Sequence, residues 1–366
     1  MHISRLELTD FRNYVRADVS PCPGIVVLHG DNAQGKTALL EAVYLCCTGR
    51  SHRTSRDKEL IRFDQPTAHV HVDAVQSDGE HAVDITLNSL TRKTVRVNGT
   101  VIGRSGELMG HIMGVLFSPE DLRMVKDGPA ERRRFIDMEL SQIRPAYYYQ
   151  LQRYARVLTQ RSKLLRDAHF DRSLLATLPS WDEQLAQSGA QVIEYRRAFI
   201  EKLHTYAAAI HKGISGDREQ LSVSYQASFS SDQSGTQLAE ALLSALHQSR
   251  ERDIERGSTS IGPHRDDILL SLNGVDARVY GSQGQQRSCA LSLKLSELEV
   301  MKSETGEYPI LMLDDVMSEL DPMRRRQLLD ALSGIQILVT CTDPEDLSGA
   351  QVGQMIHVEK GTLGDG

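Results

Sequence analysis

Gly30-Asp31-Asn32-Ala33-Gln34-Gly35-Lys36-Thr37 fits the pattern G-x-x-x-x-G-K-[ST] at every constrained position. Glycines at both ends let the backbone turn until successive N–H groups face one anion, and the positive end of a following helix adds to the attraction. In such a P-loop Lys36 reaches the β and γ phosphates of a nucleotide and the Thr37 hydroxyl ligates Mg²⁺. A second set of acids stands far along the chain, where the apolar run Ile310-Leu311-Met312-Leu313 ends in Asp314-Asp315. A buried strand of this kind delivers its first carboxylate beside a P-loop, so Asp314 is expected to hold Mg²⁺ directly or through water. Asp315 then stands where a water must be oriented for attack on the γ phosphate. Many strands end in a solvated acid, and only the pairing with a complete P-loop makes this one a Walker B candidate.

Ser282-Gln283-Gly284-Gln285-Gln286 is the third group. A serine-glycine turn can simply cap a helix. Its place one helix upstream of Asp314 instead makes it resemble the signature of ABC-type ATPases. That resemblance implies that Ser282, Gly284 and Gln285 bind the γ phosphate of ATP held by the P-loop of a second copy, so that ATP joins a head-to-tail dimer. Ser318-Glu319-Leu320-Asp321 looks like the D-loop that crosses the same interface.

These groups need elements to carry them. Gly24-Ile25-Val26-Val27-Leu28-His29 reads as a buried strand feeding the P-loop, and Thr37 to Thr48 as the helix after it, with Leu39, Leu40, Val43 and Tyr44 inward and Gly49 as its stop. Alternation at Ile3, Leu6 and Leu8, and again from Ala68 to Val101, predicts strands, with a hairpin turn at Asn98-Gly99. Val115-Leu116-Phe117 is a further short strand. From Glu131 to about Gly213 the texture is long helices, with apolar stripes at Leu151, Tyr154, Leu158 and Leu165 and at Val192, Tyr195, Phe199, Leu203, Tyr206 and Ile210. Neither stripe keeps a heptad long enough for an extended coiled coil. Strand texture returns beyond Leu221 and includes Ile268 to Leu272. A helix over Gln285 to Lys302, the Walker B strand, a helix near Pro322 to Leu332 and a strand over Ile335 to Thr340 complete the chain. The expected layout is an α/β ATPase core split by a helical insertion: 1–130, 131–260 and 261–366.

The 366 residues are 40% hydrophobic and 25% charged, ordinary for a globular chain. No apolar run is long enough to span a bilayer, and the five cysteines show no C-x-x-C spacing. They read as reduced core residues of a cytoplasmic protein. The net charge of -7 argues against DNA binding by the whole surface, so any DNA contact needs a local basic face. Candidates are Arg50, Arg53, Arg56 and Lys58, then Arg123 and Lys126, Arg132-Arg133-Arg134 and Arg324-Arg325-Arg326. A solvated face explains any one of them equally well.

Leu6-Glu7-Leu8-Thr9-Asp10-Phe11-Arg12-Asn13-Tyr14, Gly49-Arg50-Ser51-His52-Arg53-Thr54, Phe117-Ser118-Pro119-Glu120-Asp121-Leu122, Gly262-Pro263-His264-Arg265-Asp266-Asp267 and Gly281 to Arg287 look like RecF-family motifs in RecF-family order. They span nearly the whole chain. The resemblance implies a P-loop NTPase head of the ABC/SMC type, a mixed sheet around a central helix, with a helical arm in place of a long coiled coil. It implies that Arg12 and Asn13 contact the nucleotide beside the P-loop residues. It also implies binding to gapped DNA and single-strand/duplex junctions, work with RecR and RecO in loading RecA, and a part in replication and the SOS response.

Two departures bear on turnover. The catalytic Glu usual after Walker B is Asp315, one methylene shorter, and Val339-Thr340-Cys341-Thr342 lacks the switch His. The Q-loop Gln has no clear counterpart near Ser118-Pro119-Glu120. Thr340 or Thr342 is expected to substitute, and a slow, switch-like ATPase is implied. Competing readings are a transporter motor subunit, which would normally keep the Glu and His, a small-molecule P-loop kinase, which has no use for Ser282, and a DNA clamp without ATP chemistry.

Overall fold

The computed structural model describes residues 1–317, 325, 328, 334–347 and 351–365. The D-loop candidate Ser318 to Asp321, nearly all of the helix expected near Pro322, and Arg324 and Arg326 lie outside them. The chain divides into two compact units, Met1–Asp121 with Lys294–Gly366 and Leu122–Leu293.

The first unit begins with β1 (His2–Phe11) and β2 (Tyr14–Val19), followed by β3 (Ile25–His29) and α1 (Lys36–Thr48). Four antiparallel strands follow, β4 (Thr67–Gln76), β5 (Gly79–Asn88), β6 (Thr94–Val97) and β7 (Thr100–Val101), then β8 (Gly114–Phe117). The first sheet has the order β2-β1-β4-β5-β6-β7. Its alternating Ile3, Leu6, Leu8, Val70, Val72, Val83, Ile85 and Leu87 are buried, as a one-sided sheet requires. The β6–β7 hairpin turns at Asn98-Gly99 with both φ angles positive (49° and 77°), the geometry that this dipeptide favours.

The second unit opens with α2 (Arg123–Lys126), α3 (Pro129–Ile143), α4 (Pro145–Asp167) and α5 (Leu178–Ser215). It continues through β9 (Leu221–Gln226), α6 (Gly235–Gln248), α7 (Arg250–Arg256), β10 (Asp267–Leu272), β11 (Val275–Asp276) and α8 (Ala277–Tyr280). Helix α9 (Gln283–Thr305) starts here, and from Lys294 its residues belong to the first unit. The unit boundaries differ from the expected 130/131 and 260/261. Residues 261–293 group with the helices because β10 pairs along its length with β9 in a sheet ordered β11-β10-β9.

The helical stripes are also more polar than the apolar spacing predicts. In α4 the buried positions are Tyr147, Tyr154, Val157, Arg161 and Leu165. Arg161 is wholly buried, its Nε donating to Asp182 at 2.7 Å and its Nη1 to Asp253 at 2.9 Å and Thr259 Oγ1 at 2.8 Å. In α5 Arg196 and His211 occupy core positions, while Tyr195, Tyr206 and Ile210 are half-buried. Arg196 donates to Asp137 and to the Pro263 carbonyl, and Tyr154 OH meets His264 Nδ1 at 2.6 Å. A polar network of this kind is tolerated in a core only because its charges are paired. The Gly262 to Asp267 motif is one side of it. Burial holds His264 down at about 4.

Back in the first unit, the remaining strands are β12 (Ile310–Asp314), β13 (Ile337–Cys341), β14 (Val352–Glu359) and β15 (Thr362–Asp365). They complete a sheet ordered β15-β14-β3-β13-β12-β8, parallel except for β15. Strands β12 and β13 are buried at every position, the continuous apolar signature of a parallel sheet covered on both faces. Helix α1 packs against β1, β4 and β5 of the first sheet and β8, β12 and β13 of this one. That is why Leu39, Leu40, Glu41, Ala42, Val43, Leu45, Cys46 and Cys47 are buried all round the helix rather than along one stripe.

Candidate nucleotide-binding site

Strand β3 feeds the P-loop, and two positions there need glycine. Gly30 has φ 141°, and a Cβ on it would meet the Val358 carbonyl oxygen at 2.4 Å. Gly35 has φ 120°, and a Cβ would meet the Asn13 side chain at 2.7 Å. Ala33 also holds a positive φ of 63°. The loop is fixed from outside: Asn13 Nδ2 donates to Gln34 O at 2.8 Å, Tyr14 OH to Gly35 O at 3.1 Å, and Lys360 N to Gln34 Oε1 at 2.7 Å. The side chains of Asn13 and Gln34 thus hold the loop's shape.

Lys36 Nζ folds onto the loop's own carbonyls, donating to Gly30 O at 2.5 Å and Asp31 O at 2.9 Å. Beside it Thr37 Oγ1 donates to Asp314 Oδ1 at 2.8 Å. Strand β13 lies between β3 and β12, in register with Asp314 opposite Thr340. Thr340 Oγ1 donates to the same Asp314 oxygen at 2.9 Å and accepts from Asp315 N at 2.9 Å. Thr340 thus ties the Asp314 carboxylate to the Asp315 backbone. Asp315 is exposed, with φ 53°.

A cleft of about 730 Å³ opens here. It is lined by Asn32 to Ala38, by Arg12, Asn13, Asp315 and Thr340, and by Arg53, Lys58, Glu59, Ile61 and Phe63. Lys36, Arg12, Arg53 and Lys58 face Glu59 and Asp315, a cationic balance suited to a polyphosphate. The sequence patterns missed Ile61 and Phe63. Phe63 is 85% exposed on the cleft wall, the one available hint being a large apolar residue between Arg62 and Asp64. Arg53 and Lys58, candidate DNA contacts by charge alone, lie in this cleft.

Arg12 holds φ 55° and makes a two-pronged ion pair with Glu41 of α1, Nε to Oε2 at 2.8 Å and Nη2 to Oε1 at 2.7 Å. Its Nη1 donates to Glu59 O at 2.9 Å. Glu41 is fully buried and also accepts from Ser51 Oγ at 2.5 Å. Burial pushes the Glu41 carboxyl up, but the bonds from Arg12 and Ser51 outweigh it and leave it below the usual range. Ser51 Oγ in turn accepts from Arg53 N and Thr54 N, and so shapes the turn that brings Arg53 to the cleft. Burial, then His357 and Lys36, lower His29 at the end of β3.

Ser282, Gly284 and Gln285 belong to the second unit. Ser282 Oγ accepts from Gln285 N at 3.3 Å, and Gln285 Oε1 accepts from Ser282 N at 2.8 Å. This is a reciprocal capping box at the start of α9. The Gln285 amide is therefore occupied at home, while the Ser282 hydroxyl keeps its own proton to donate.

The sequence profile of the RecF/RecN/SMC N-terminal domain matches residues 2–363. The DNA replication and repair protein RecF of Lachnoclostridium phytofermentans is 45% identical over 368 residues, covering all of both chains. The chain belongs to the RecF family. The RecF of Agathobacter rectalis is 44% identical across 99% of each chain. Among solved structures, the recombination mediator RecF of the RecFOR pathway, solved as RecF-ATP, superposes with a TM-score of 0.93 at 36% identity, covering 100% of this chain and 97% of that one. The Pyrococcus furiosus Smc head domain, at a TM-score of 0.57 and 15% identity over 99% and 95% of the two chains, shares the fold. The RecF-family fold is thus that of an SMC-type head, and the transporter-motor and metabolite-kinase readings fall away.

Proposed function

We propose that this RecF-family chain is an ATP-dependent DNA-binding protein of recombinational repair in the cytoplasm, switched by slow ATP hydrolysis. The contact between Thr37 and Asp314 carries the reading, because it joins a P-loop hydroxyl to a Walker B carboxylate as a Mg²⁺ site requires. Thr37 and Asp314 would hold Mg²⁺, which would supply positive charge against the nucleotide; the loop amides from Asp31 to Gly35 would cradle the phosphates, and Lys36 would face the β and γ oxygens. Asp315 orients the attacking water. Arg12 and Asn13 support this constellation by fixing α1 and the P-loop, and Ile61 and Phe63 offer apolar surface to the adenine. The helical unit 122–293 serves as the arm that the family resemblance implies.

Ser282 and Gly284, with Gln285 behind them, are assigned to the nucleotide of a second copy, so that ATP drives dimerisation. Gapped DNA or single-strand/duplex junctions are the proposed substrate, with RecR and RecO as partners in loading RecA. The relatives' naming as DNA replication and repair proteins and the RecF-ATP and RecF-ATPrS structures support this assignment. Sedimentation with and without ATP and gapped DNA tests it. ATP should shift the chain to a dimer and raise DNA affinity, with log affinity falling linearly against log salt. Binding indifferent to both ATP and salt would overturn the reading.

A further inference from the structure

We propose that Glu219 is a positioning residue that sets the signature turn by fixing the orientation of the Gln285 side-chain amide. This rests on the assignment of Ser282 to a bound nucleotide made above. Glu219 Oε1 accepts from Gln285 Nε2 at 3.0 Å, and its other oxygen, Oε2, meets His211 Nε2 at 3.1 Å. His211 is fully buried in α5, and its Nδ1 meets Ser292 Oγ of α9 at 2.9 Å. A continuous polar chain therefore runs from Ser282 through Gln285, Glu219 and His211 back into α9.

The logic of the chain lies in donor and acceptor identity. A glutamine amide has one accepting end and one donating end, and only one way round serves the capping box. Ser282 N needs an acceptor, which is Gln285 Oε1. A carboxylate only accepts, so Glu219 selects the orientation with the amide NH₂ towards itself and the oxygen towards Ser282. With the amide reversed, donor would face donor at Ser282 N and acceptor would face acceptor at Glu219. Capping α9 needs only Ser282 and Gln285, so the third group is an addition to the cap.

Glu219 is itself held in place. Helix α5 ends at Gly216 in the left-handed conformation (φ 64°), and Asp217 follows at φ 61°. Ser215 Oγ receives Glu219 N at 3.3 Å, and Asn273 clamps the next residue, its Oδ1 accepting from Gln220 N at 2.8 Å. The carboxylate is thus fixed to the C-terminal end of α5, and any displacement of that helix end reaches Ser282 through two hydrogen bonds.

A double-mutant cycle tests the proposal, using Glu219→Ala, Gln285→Ala and the pair in the full-length chain. ATP binding by the monomer, ATP-induced dimerisation by light scattering, and kcat and KM for ATP are measured. Glu219→Ala should leave monomer ATP affinity and KM unchanged and lower kcat and dimer affinity roughly tenfold, the scale of a lost charge-assisted hydrogen bond. In the Gln285→Ala background the same change should cost nothing further, because its route to Ser282 is already gone. Equal losses in both backgrounds, or none in either, would overturn the proposal. If Glu219→Ala is too unstable to purify, Glu219→Met keeps the length and removes the acceptor, and the same cycle applies. Ser282→Arg is the control for the underlying reading. If that variant still dimerises on ATP, the assignment of Ser282 falls. If it fails to dimerise while Glu219→Ala behaves as wild type, only the role of Glu219 falls.

Discussion

Thr37 and Asp314, 277 positions apart in the chain, share a hydrogen bond of 2.8 Å. The Asp314 oxygen also takes the Thr340 hydroxyl, so the first turn of α1 and the ends of β12 and β13 meet at one atom. Thr37→Ala removes the P-loop hydroxyl and leaves Thr340 to hold the carboxylate. The fold should persist while Mg²⁺-dependent ATP affinity falls by roughly tenfold to 100-fold. Titration of ATP with and without Mg²⁺ measures this. A variant that keeps the full Mg²⁺ effect would refute the metal site.

Lys36→Met should abolish tight ATP binding, by about 100-fold or more, if Lys36 is the cation proposed to face the β and γ phosphates. Stability should change little, because among the described residues the Lys36 ammonium bonds only to two carbonyls of its own loop. Isothermal titration together with a thermal melt separates the two effects. Unaltered ATP affinity would show that the cleft is misassigned.

Asp315→Asn keeps the side-chain shape and the backbone bond to Thr340 but removes the charge proposed to orient water. ATP binding should survive, and turnover should fall on the order of 100-fold. Single-turnover kinetics with labelled ATP reads this directly. Undiminished turnover would point to another acid, with Glu120 the first to try.

Glu41 gives a pH signature. Its carboxyl is lower in the folded chain than in the unfolded one. The resulting stability is therefore complete above the unfolded value of about 4.3 and is lost as pH falls through the folded value. Glu41→Gln should flatten the acid limb of the melting curve. Arg12→Ala, which leaves the buried carboxylate without its main partner, should destabilise by roughly 3 kcal/mol at neutral pH. Urea unfolding at pH 7 and across the acid range checks both, and a null effect of Arg12→Ala would mean that Ser51 and Arg53, whose Nη1 stands 3.8 Å from Glu41 Oε2, suffice.

Phe63→Ala should weaken ATP binding by about five- to 100-fold, the range of base stacking on an aromatic ring, and leave inorganic triphosphate binding unchanged. Equal losses for both ligands would place Phe63 away from the base.

The sequence by itself determined the local pieces. The P-loop, its strand and helix, the Walker B run, the Asn98-Gly99 turn and the family motifs are short stretches whose residue types dictate local backbone or local chemistry, so they can be read in place. The order of β3, β13 and β12, and with it the role of Thr340 between two acids, came only from tertiary structure. Nothing local to residues 337–341 tells which strands flank them. The same holds for Arg161, Arg196 and His211, which interrupt apolar stripes and look like surface residues until their partners appear from distant helices. It holds for the second unit's extent, settled by the pairing of β9 with β10 across 41 or more residues of chain. Gln285 shows the difference at one residue. Its spacing from Ser282 suggests a ligand contact or a cap, and only the tertiary structure brings Glu219 from beyond the end of α5 to the amide nitrogen, because a partner this distant in the chain leaves no local pattern.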